Sequence, residues 1–464
     1  MAEPTIAMSD LAKPILTEHT LTEPTLTEPA SASPMPPRVR DYRIDLLRGV
    51  ALVMIYINHI PGTMWEHLTS RNFGFSDGAE GFVLMSGMAT GLAYGAVFLR
   101  GASTAQALRP WRRAFTIWWV HVLVVACIVA LFTLTQHNTA VALMAVKRNI
   151  TPALADPFGF MLPLMTLGHQ FAYADILPMY IALMLTAPAL LALAVRWPKA
   201  LMAASLVVWF IAGLFRITVP TWPGSNGWFF NPLSWQVLFV AGMLTGLAMR
   251  QGRRWLPIRS WALWLAWSFL AIAALWVQIG AVANWGGHGL WLLHEYAYFP
   301  APFTSFDKGF EYLPRLLHIL ALAYALSALP ILRSIANSPR AAPLILLGQH
   351  SLPVFATSTV LAYSAQVIKA MNPPSHLLDA ALIIGGLAIL YAVAKARDGQ
   401  KLRAPKTARA SSPHRATPDR RVGAAPSVLH SLCLSRFRRS SKRDSTKEPA
   451  RGGGQALPGG AFAP

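Results

Sequence analysis

The stretch RDYRIDLLRGVALVMIYINHIPG, residues 40–62, decides the fold. Most of it is apolar over about twenty positions, the length that an α-helix needs to cross the hydrocarbon core of a bilayer. Similar apolar runs recur as far as residue 395. Hydrophobic residues make up 54% of the 464 residues and charged residues 13%, about half of the charged share of roughly 25% that soluble proteins carry. The sequence therefore predicts an all-α, polytopic integral membrane bundle in contact with a lipid bilayer.

About ten segments have the length and apolar character of transmembrane helices. Their predicted bounds are 44–62, 78–98, 114–135, 173–195, 200–219, 234–250, 260–281, 313–332, 343–368 and 377–395. The apolar segments 139–146 and 158–167 are too short to cross and are predicted to be interfacial or re-entrant.

The segments that flank the apolar part have a different composition. Residues 1–37 are rich in Pro, Thr and Glu, and residues 399–464 mix Arg, Ser, Pro and Gly without hydrophobic periodicity. Such compositions bury too little apolar surface to fold. We predict a disordered leader at 1–37, a transmembrane domain at 38–398 and a basic, disordered cytoplasmic tail at 399–464.

The position of the positive charges indicates orientation and argues against a nucleic-acid partner. The net charge is +20, but fifteen Lys and Arg residues against four Asp and Glu lie beyond residue 395. Between the predicted spans, sixteen Lys and Arg residues fall on one set of connecting segments and seven on the other. Cytoplasmic loops carry the excess of Lys and Arg. We therefore predict that both termini are cytoplasmic in a multi-pass protein of a bacterial cytoplasmic (inner) membrane.

The first span carries polar residues, which are costly inside a membrane and so indicate function. Arg48 and His59 are eleven positions apart, about 16 Å of helical rise with about 20° of angular offset, so they share one helix face. Asp45 precedes Arg48 by three positions and could pair with it. The alternatives are a snorkelling pair that anchors the helix end and an interfacial histidine bonded to a neighbouring helix. The shared face favours a polar path between the two sides of the membrane.

The second span begins in the stretch SRNFGFSDGAEGFVLMSGMATG, residues 70–91. Arg71, Asp77 and Glu80 lie at its mouth, and we expect them to form a polar pocket beside His59 in which a histidine can serve as a base. Small residues along this span, among them Gly87 and Gly91, are predicted to permit close helix approach.

These residues resemble the OpgC family, membrane proteins that substitute osmoregulated periplasmic glucans with succinyl groups, itself similar to the acyltransferase-3 group. The resemblance extends over about residues 40–395. The matching pieces are the Arg48–His59 spacing, the run RNFGFSDGAE at 71–80, DILPMY at 175–180, NPLSWQ at 231–236, FDK at 306–308 and GQHSLPVF at 348–355. The transmembrane domain is therefore interpreted as acyltransferase-like.

The resemblance implies an acyl-CoA donor, succinyl-CoA, and a periplasmic glucan acceptor, with no permanently bound cofactor. We expect His59 to be the general base on a glucose hydroxyl, with Glu80 or Asp77 orienting its ring. Arg48 would hold CoA phosphates or the thioester carbonyl, with Asp45 orienting its guanidinium.

A succinyl donor carries a carboxylate, so its site needs a cation. The candidates are Arg71, Lys308 and Arg315, for which the alternative is loop solvation and interface anchoring. Three further residues complete the predicted substrate site: Asn72, Ser86 and His318. His288 and His294 are interpreted as loop histidines, and His350 as a helix–helix hydrogen-bonding residue.

No metal site is predicted, since only two cysteines occur and they fall in different predicted environments. Two other functions stay open. An O-acetyltransferase of another periplasmic or surface glycan would differ only in its donor. A polytopic transporter also has intramembrane charges and glycine-rich helices, although the halves of this chain show no internal repeat.

Overall fold

The computed structural model describes residues 40–403 except residues 102, 225 and 226, and it describes no side chains at 401–403. All regular secondary structure in this part of the chain is helical, so the predicted all-α class is confirmed. The α-helices are α1 (Tyr42–Asn58), α2 (Gly78–Leu99), α3 (Thr104–Ala107), α4 (Arg109–Thr135), α5 (Thr139–Lys147), α6 (Thr151–Ala155), α7 (Met161–Met165), α8 (Ile176–Arg196), α9 (Pro198–Leu214), α10 (Pro232–Arg250), α11 (Ser260–Gln278), α12 (Gly280–Glu295), α13 (Ala301–Thr304), α14 (Leu313–Ala328), α15 (Pro330–Ala336), α16 (Ala342–Gln349), α17 (Ser351–Met371) and α18 (His376–Arg403). Short 3₁₀ helices span Met64–Leu68, Ser70–Asn72 and Pro339–Ala341.

Seven helices of the described chain are long and apolar enough to cross a membrane, or eight if α14 and α15, bent by 78°, form one broken span. The chain is thus a multi-pass membrane bundle, while the count of ten and the orientation of the termini stay predictions. Helices α1 and α9, which the sequence predicts as spans, are shorter, with 17 residues each, and are not among these seven. The predicted single span at 343–368 is wrong, because the helix breaks at His350 into α16 and α17. The leader at 1–37 and the tail beyond Arg403 lie outside the described residues.

Two predictions between the spans have different outcomes. The short apolar segments contain the short helices α5 and α7, neither of which is long enough to span. His288 and His294 are not loop residues as predicted, since both lie in α12. The three glycines among Gly286–Gly289 hide this helix from a search for long apolar runs.

Helices α2 and α10 approach each other closely through glycines. A Cβ atom on Gly87 would lie 2.1 Å from the carbonyl oxygen of Phe239, and one on Gly242 would lie 2.0 Å from that of Leu84. Such distances are possible only without side chains, which is the packing expected of small residues between membrane helices. The predicted role of the α2 glycines is confirmed.

Helix α1 is held against α16 in the same way. Gly49 faces the backbone of Leu344, where an added Cβ would lie 1.9 Å from the carbonyl oxygen, and Gly348 faces the backbone of Asp45 at 1.8 Å. This close contact fixes the position of α1 and of the polar residues on it.

Burial separates the core of the bundle from its outer surface. Trp235 and Phe239 of α10 and Phe355 of α17 are buried almost completely. By contrast, Trp264 and Leu265 of α11 are exposed. Exposed apolar side chains on a membrane-spanning helix are suited to contact with lipid.

The ends of several helices meet on one side of the bundle and form the site. Helix α1 ends before the segment Ile60–Gly62, in which Pro61 cannot continue a helix and Gly62 adopts a φ of +78°. Helix α2 begins at the N-cap Asp77, whose side chain accepts a hydrogen bond from the Ala79 amide. The Glu80 carboxylate accepts a hydrogen bond from the backbone amide of Asp77, which completes a capping box.

Candidate active site

A cavity of about 430 Å³ lies where α1 ends and where α2 and α8 begin. This volume is within the range of about 300–1,000 Å³ that small-molecule sites occupy. The charged and polar residues that line it include His59, Arg71, Asp77, Gln170, Asp175 and Lys308. Four of the predicted site residues therefore meet around one space.

His59 is held in this cavity by its backbone and by a tilted ring contact. Its carbonyl oxygen accepts a hydrogen bond from Nε2 of Gln366 at 2.6 Å, and its ring lies 4.3 Å from the ring of Tyr173. Arg148 lies 4.2 Å from the centre of the same tyrosine ring and also donates to Gln366. The buried Nδ1 of His59 has no hydrogen-bond partner among the described residues. The prediction that Glu80 or Asp77 orients this ring is therefore wrong, and Tyr173 contacts it instead.

The carboxylates expected to orient His59 are bound by cations. Nζ of Lys308 lies 2.5 Å from Oδ2 of Asp77, and Arg315 bonds the fully buried Glu80 and lies 3.8 Å from Asp77. These four side chains form the ionic cluster, a name used below for Asp77, Glu80, Lys308 and Arg315. The cluster joins the start of α2 to the segment that leads into α14.

The charges of the ionic cluster shift the pKa values of its members at the helix ends. Burial would raise the pKa of Asp77, but Lys308 and Arg315 hold it well below its usual range. Burial would likewise lower the pKa of Lys308, but the carboxylates of Asp77 and Glu80 raise it above its usual value. Both side chains are therefore charged near neutral pH.

Glu311 lies beside the ionic cluster and was not identified from the sequence. It is fully buried, and within the described part of the chain neither carboxyl oxygen has a hydrogen-bond partner. Burial, supported by the charge of Glu80, raises its pKa well above the ordinary value, so this carboxyl group is favoured in its neutral form.

A second cavity, of about 150 Å³, contains Arg48 and adjoins the first. Arg113, Ser86, Tyr94 and Tyr180 also line it. Ile176 and Phe355 line both cavities, so they form the partition between them. Nη2 of Arg48 donates to the carbonyl oxygen of Met85 at 3.0 Å, while its buried Nε has no hydrogen-bond partner in residues 40–403 as described.

Asp45 does not pair with Arg48 as predicted. Its carboxylate accepts a hydrogen bond from Nε of Arg40 at 2.6 Å. Arg40 precedes α1, and this bond ties the chain to the first turn of the helix. The role of Asp45 as an orienting residue for Arg48 is therefore corrected to anchoring of the helix start.

The remaining predicted substrate residues are distributed unevenly. Arg71 lines the larger cavity, is exposed, and lies 3.4 Å from the carboxylate of Glu66. The side-chain amide nitrogen of Asn72 donates a hydrogen bond to the carbonyl oxygen of Glu66 at 2.5 Å. His318 is buried, and its Nδ1 lies 2.7 Å from Oγ of Ser76. Neither Asn72 nor His318 lines either cavity, and Ser86 lines the smaller one.

His350 lies at the break between α16 and α17 and bonds another helix, as predicted. Its Nε2 lies 3.3 Å from Oδ1 of Asp398 on α18. This contact joins the break to α18, and the residues that follow it, Ser351 and Leu352, line the smaller cavity.

The fold and the site define a multi-pass membrane protein with two adjoining cavities. The charged cavity lies at the helix ends, the second contains Arg48, and Ile176 and Phe355 line both. The family model described as "OpgC protein" matches residues 40–401, and the chain belongs to this family. Membership supports a membrane acyltransferase of the OpgC type that acts on glucans. Comparison with curated proteins and with solved structures gives no significant match.

Proposed function

We propose that this protein transfers a succinyl group from cytoplasmic succinyl-CoA to hydroxyl groups of osmoregulated periplasmic glucans, in the bacterial inner membrane. The observation that carries the proposal is the pair of adjoining cavities along α1. Arg48 lines one cavity and His59 the other, and Ile176 and Phe355 border both. In the proposed orientation the Arg48 cavity faces the cytoplasm and the His59 cavity the periplasm.

The donor end of the reaction is assigned to the smaller cavity. Arg48 and Arg113 both line it, and a guanidinium group can donate hydrogen bonds to the thioester carbonyl oxygen of an acyl-CoA. Its volume of about 150 Å³ is too small for a whole CoA molecule, so only the acyl-bearing end of the donor would enter it. The rest of CoA would stay outside the bundle.

The chemical step transfers the acyl group from the sulfur of the thioester to the oxygen of the acceptor hydroxyl. The acceptor hydroxyl oxygen attacks the thioester carbonyl carbon while the imidazole of His59 takes the hydroxyl proton. The carbon–sulfur bond then breaks, the new ester bond remains, and the CoA thiolate leaves and takes up the proton held by the His59 imidazolium. A positioned base of this kind contributes about two to four powers of ten in rate. The tilted contact with Tyr173 supports this role because it restricts the imidazole ring while Nδ1 has no hydrogen-bond partner among the described residues.

The succinyl carboxylate is assigned to Arg71. Lys308 and Arg315 are already matched by Asp77 and Glu80, at 2.5 Å for the lysine pair. Arg71 is exposed, and its contact with Glu66 is long at 3.4 Å, so exchanging that partner for a substrate carboxylate would cost little. An acetyl donor lacks the free carboxylate of the succinyl group and would gain no binding energy from Arg71.

The function is tested with purified protein in lipid vesicles that enclose the neutral periplasmic glucan of a strain lacking this protein. Succinyl-CoA or acetyl-CoA is added outside, and the charge, the acyl content and the location of the glucan, inside or outside the vesicles, are measured. We expect anionic glucan with succinyl-CoA only. Equal transfer from acetyl-CoA would favour the O-acetyltransferase, and movement of unmodified glucan across the membrane would favour a transporter.

A further inference from the structure

We propose that Gln170 is the acceptor-binding residue of the larger cavity, where its side-chain amide holds adjacent hydroxyl groups of a glucose unit. The inference rests on the proposed function and names the subsite that the acceptor occupies. The starting observation is that Gln170 lines the cavity and is 7% exposed. Both Oε1 and Nε2 are buried, and no described residue bonds either atom.

A buried amide without hydrogen bonds is unfavourable, and native proteins rarely retain one without a reason. Each amide group offers both an acceptor oxygen and two donor hydrogens. A carboxylate or phosphate accepts hydrogen bonds only, so it would satisfy the nitrogen of Gln170 and leave the oxygen unmatched. Sugar hydroxyls donate and accept, so two neighbouring hydroxyls match both ends of the amide.

The backbone around Gln170 is fixed on both sides. Nε2 of His169 lies 2.8 Å from the carbonyl oxygen of Asn149, and the Asn149 amide donates to the carbonyl oxygen of Gln170 at 3.1 Å. Further along, the hydroxyl of Tyr363 donates to the carbonyl oxygen of Ala172. These bonds pre-organise the segment, which lowers the entropy lost when a ligand binds.

Gln170 lines the same cavity as the proposed base. Tyr173, three residues further along, contacts the His59 ring at a centroid distance of 4.3 Å, and Gln170, Tyr173 and His59 all line the same cavity. A glucose unit bonded to Gln170 would therefore lie beside the imidazole. The cavity thus has a division of roles, in which Arg71 binds the anionic donor and the Gln170 amide binds the neutral acceptor.

The test measures binding of the neutral periplasmic glucan to the purified protein in the absence of any donor. Intrinsic tryptophan fluorescence reports the binding. Gln170→Met preserves the side-chain shape and removes both hydrogen-bonding atoms. We expect binding to weaken roughly ten- to hundred-fold, as the loss of two buried hydrogen bonds implies. Gln170→Glu offers acceptors only and should also weaken binding, which guards against a folding defect peculiar to the methionine variant. Gln106→Met, on an exposed residue of α3, should bind as the wild type does.

Thermal unfolding of the same variants separates binding from structure. Gln170→Met removes a buried amide that no described residue satisfies, so its Tm should equal or exceed that of the wild type. A lower Tm with unchanged glucan binding would assign Gln170 a structural role and overturn the inference. Failure of the wild-type protein to bind the glucan would overturn it as well. The proposed function is judged separately, by acyl transfer in the vesicle assay, and it can fail while glucan binding through Gln170 holds.

Discussion

The ionic cluster makes a quantitative prediction about stability. Asp77→Asn keeps the N-cap of α2, because the asparagine oxygen can still accept the Ala79 amide, now 2.9 Å from Oδ1. The substitution removes the negative charge that lies 2.5 Å from Lys308 and 3.8 Å from Arg315. It therefore isolates the charge of Asp77 from its capping role.

The expected cost follows from the burial of the pair. Removing one partner of a buried ion pair costs about 3–5 kcal/mol, because the other charge stays buried and unmatched. The side chains of Asp77 and Lys308 are 21% and 27% exposed, so we expect the lower limit, about 3 kcal/mol. Asp77→Ala should cost about 1 kcal/mol more, because it also loses the cap. The double variant with Asp77→Asn and Lys308→Met, in which both charges are gone, should recover about 2 kcal/mol of the single-variant loss.

The measurement is the free energy of unfolding in mixed detergent micelles, followed by circular dichroism. Asp307→Asn is the matched control. Asp307 also accepts a backbone amide, that of Gly309 at 2.8 Å, and its ion pair with Arg216 at 3.2 Å is more exposed. We expect this control to cost at most about 1 kcal/mol. An equal cost for Asp77→Asn and Asp307→Asn, or no recovery in the double variant, would refute the reasoning.

Further predictions follow from packing, titration and donor charge. Gly87→Ala should lower the free energy of unfolding by about 1–3 kcal/mol, since its Cβ would overlap a carbonyl of α10. Gly287→Ala, inside α12 with open space around it, should raise the free energy of unfolding by up to about 1 kcal/mol. The pKa of Asp77 is lowered on folding, so this carboxylate stabilises the folded state fully above its unfolded pKa near 3.8, and that stabilisation is lost as the pH falls toward the folded pKa. The free energy of unfolding of Asp77→Asn should therefore fall less steeply in acid than that of the wild type, as measured by unfolding at a series of pH values. Arg71→Gln should raise the KM for succinyl-CoA about tenfold and leave the KM of any slow transfer from acetyl-CoA unchanged, measured with both donors.

Local sequence patterns were sufficient for the bundle and for the close packing of α2. Apolar runs of the length of a bilayer and glycines at helical spacing depend only on residues near one another along the chain. Helix α12 was missed because its glycines interrupt the apolar pattern. The break at His350 was missed because the apolar run continues on both sides of it, although Pro353 lies in the first turn of the helix that follows.

The partners of the charged residues could not be predicted from spacing. Asp77 and Lys308 are 231 positions apart and Glu80 and Arg315 are 235 apart, so their pairing arises only when α2 meets the start of α14. Spacing within α1 favoured Asp45 with Arg48, whereas Asp45 bonds Arg40 five positions away. Gln170 and Glu311 lie in connecting segments, where neither periodicity nor a motif indicates burial.

The central claim is that His59 is the base in acyl transfer, and His59→Ala tests it most directly in the vesicle assay. The matched control is His288→Ala, which removes an exposed histidine of α12. We predict that His59→Ala remains in the membrane with wild-type helical content and loses at least about a hundredfold in the rate of succinyl transfer, while His288→Ala keeps the wild-type rate. Transfer by His59→Ala at a rate within a few-fold of the wild type would contradict the assignment.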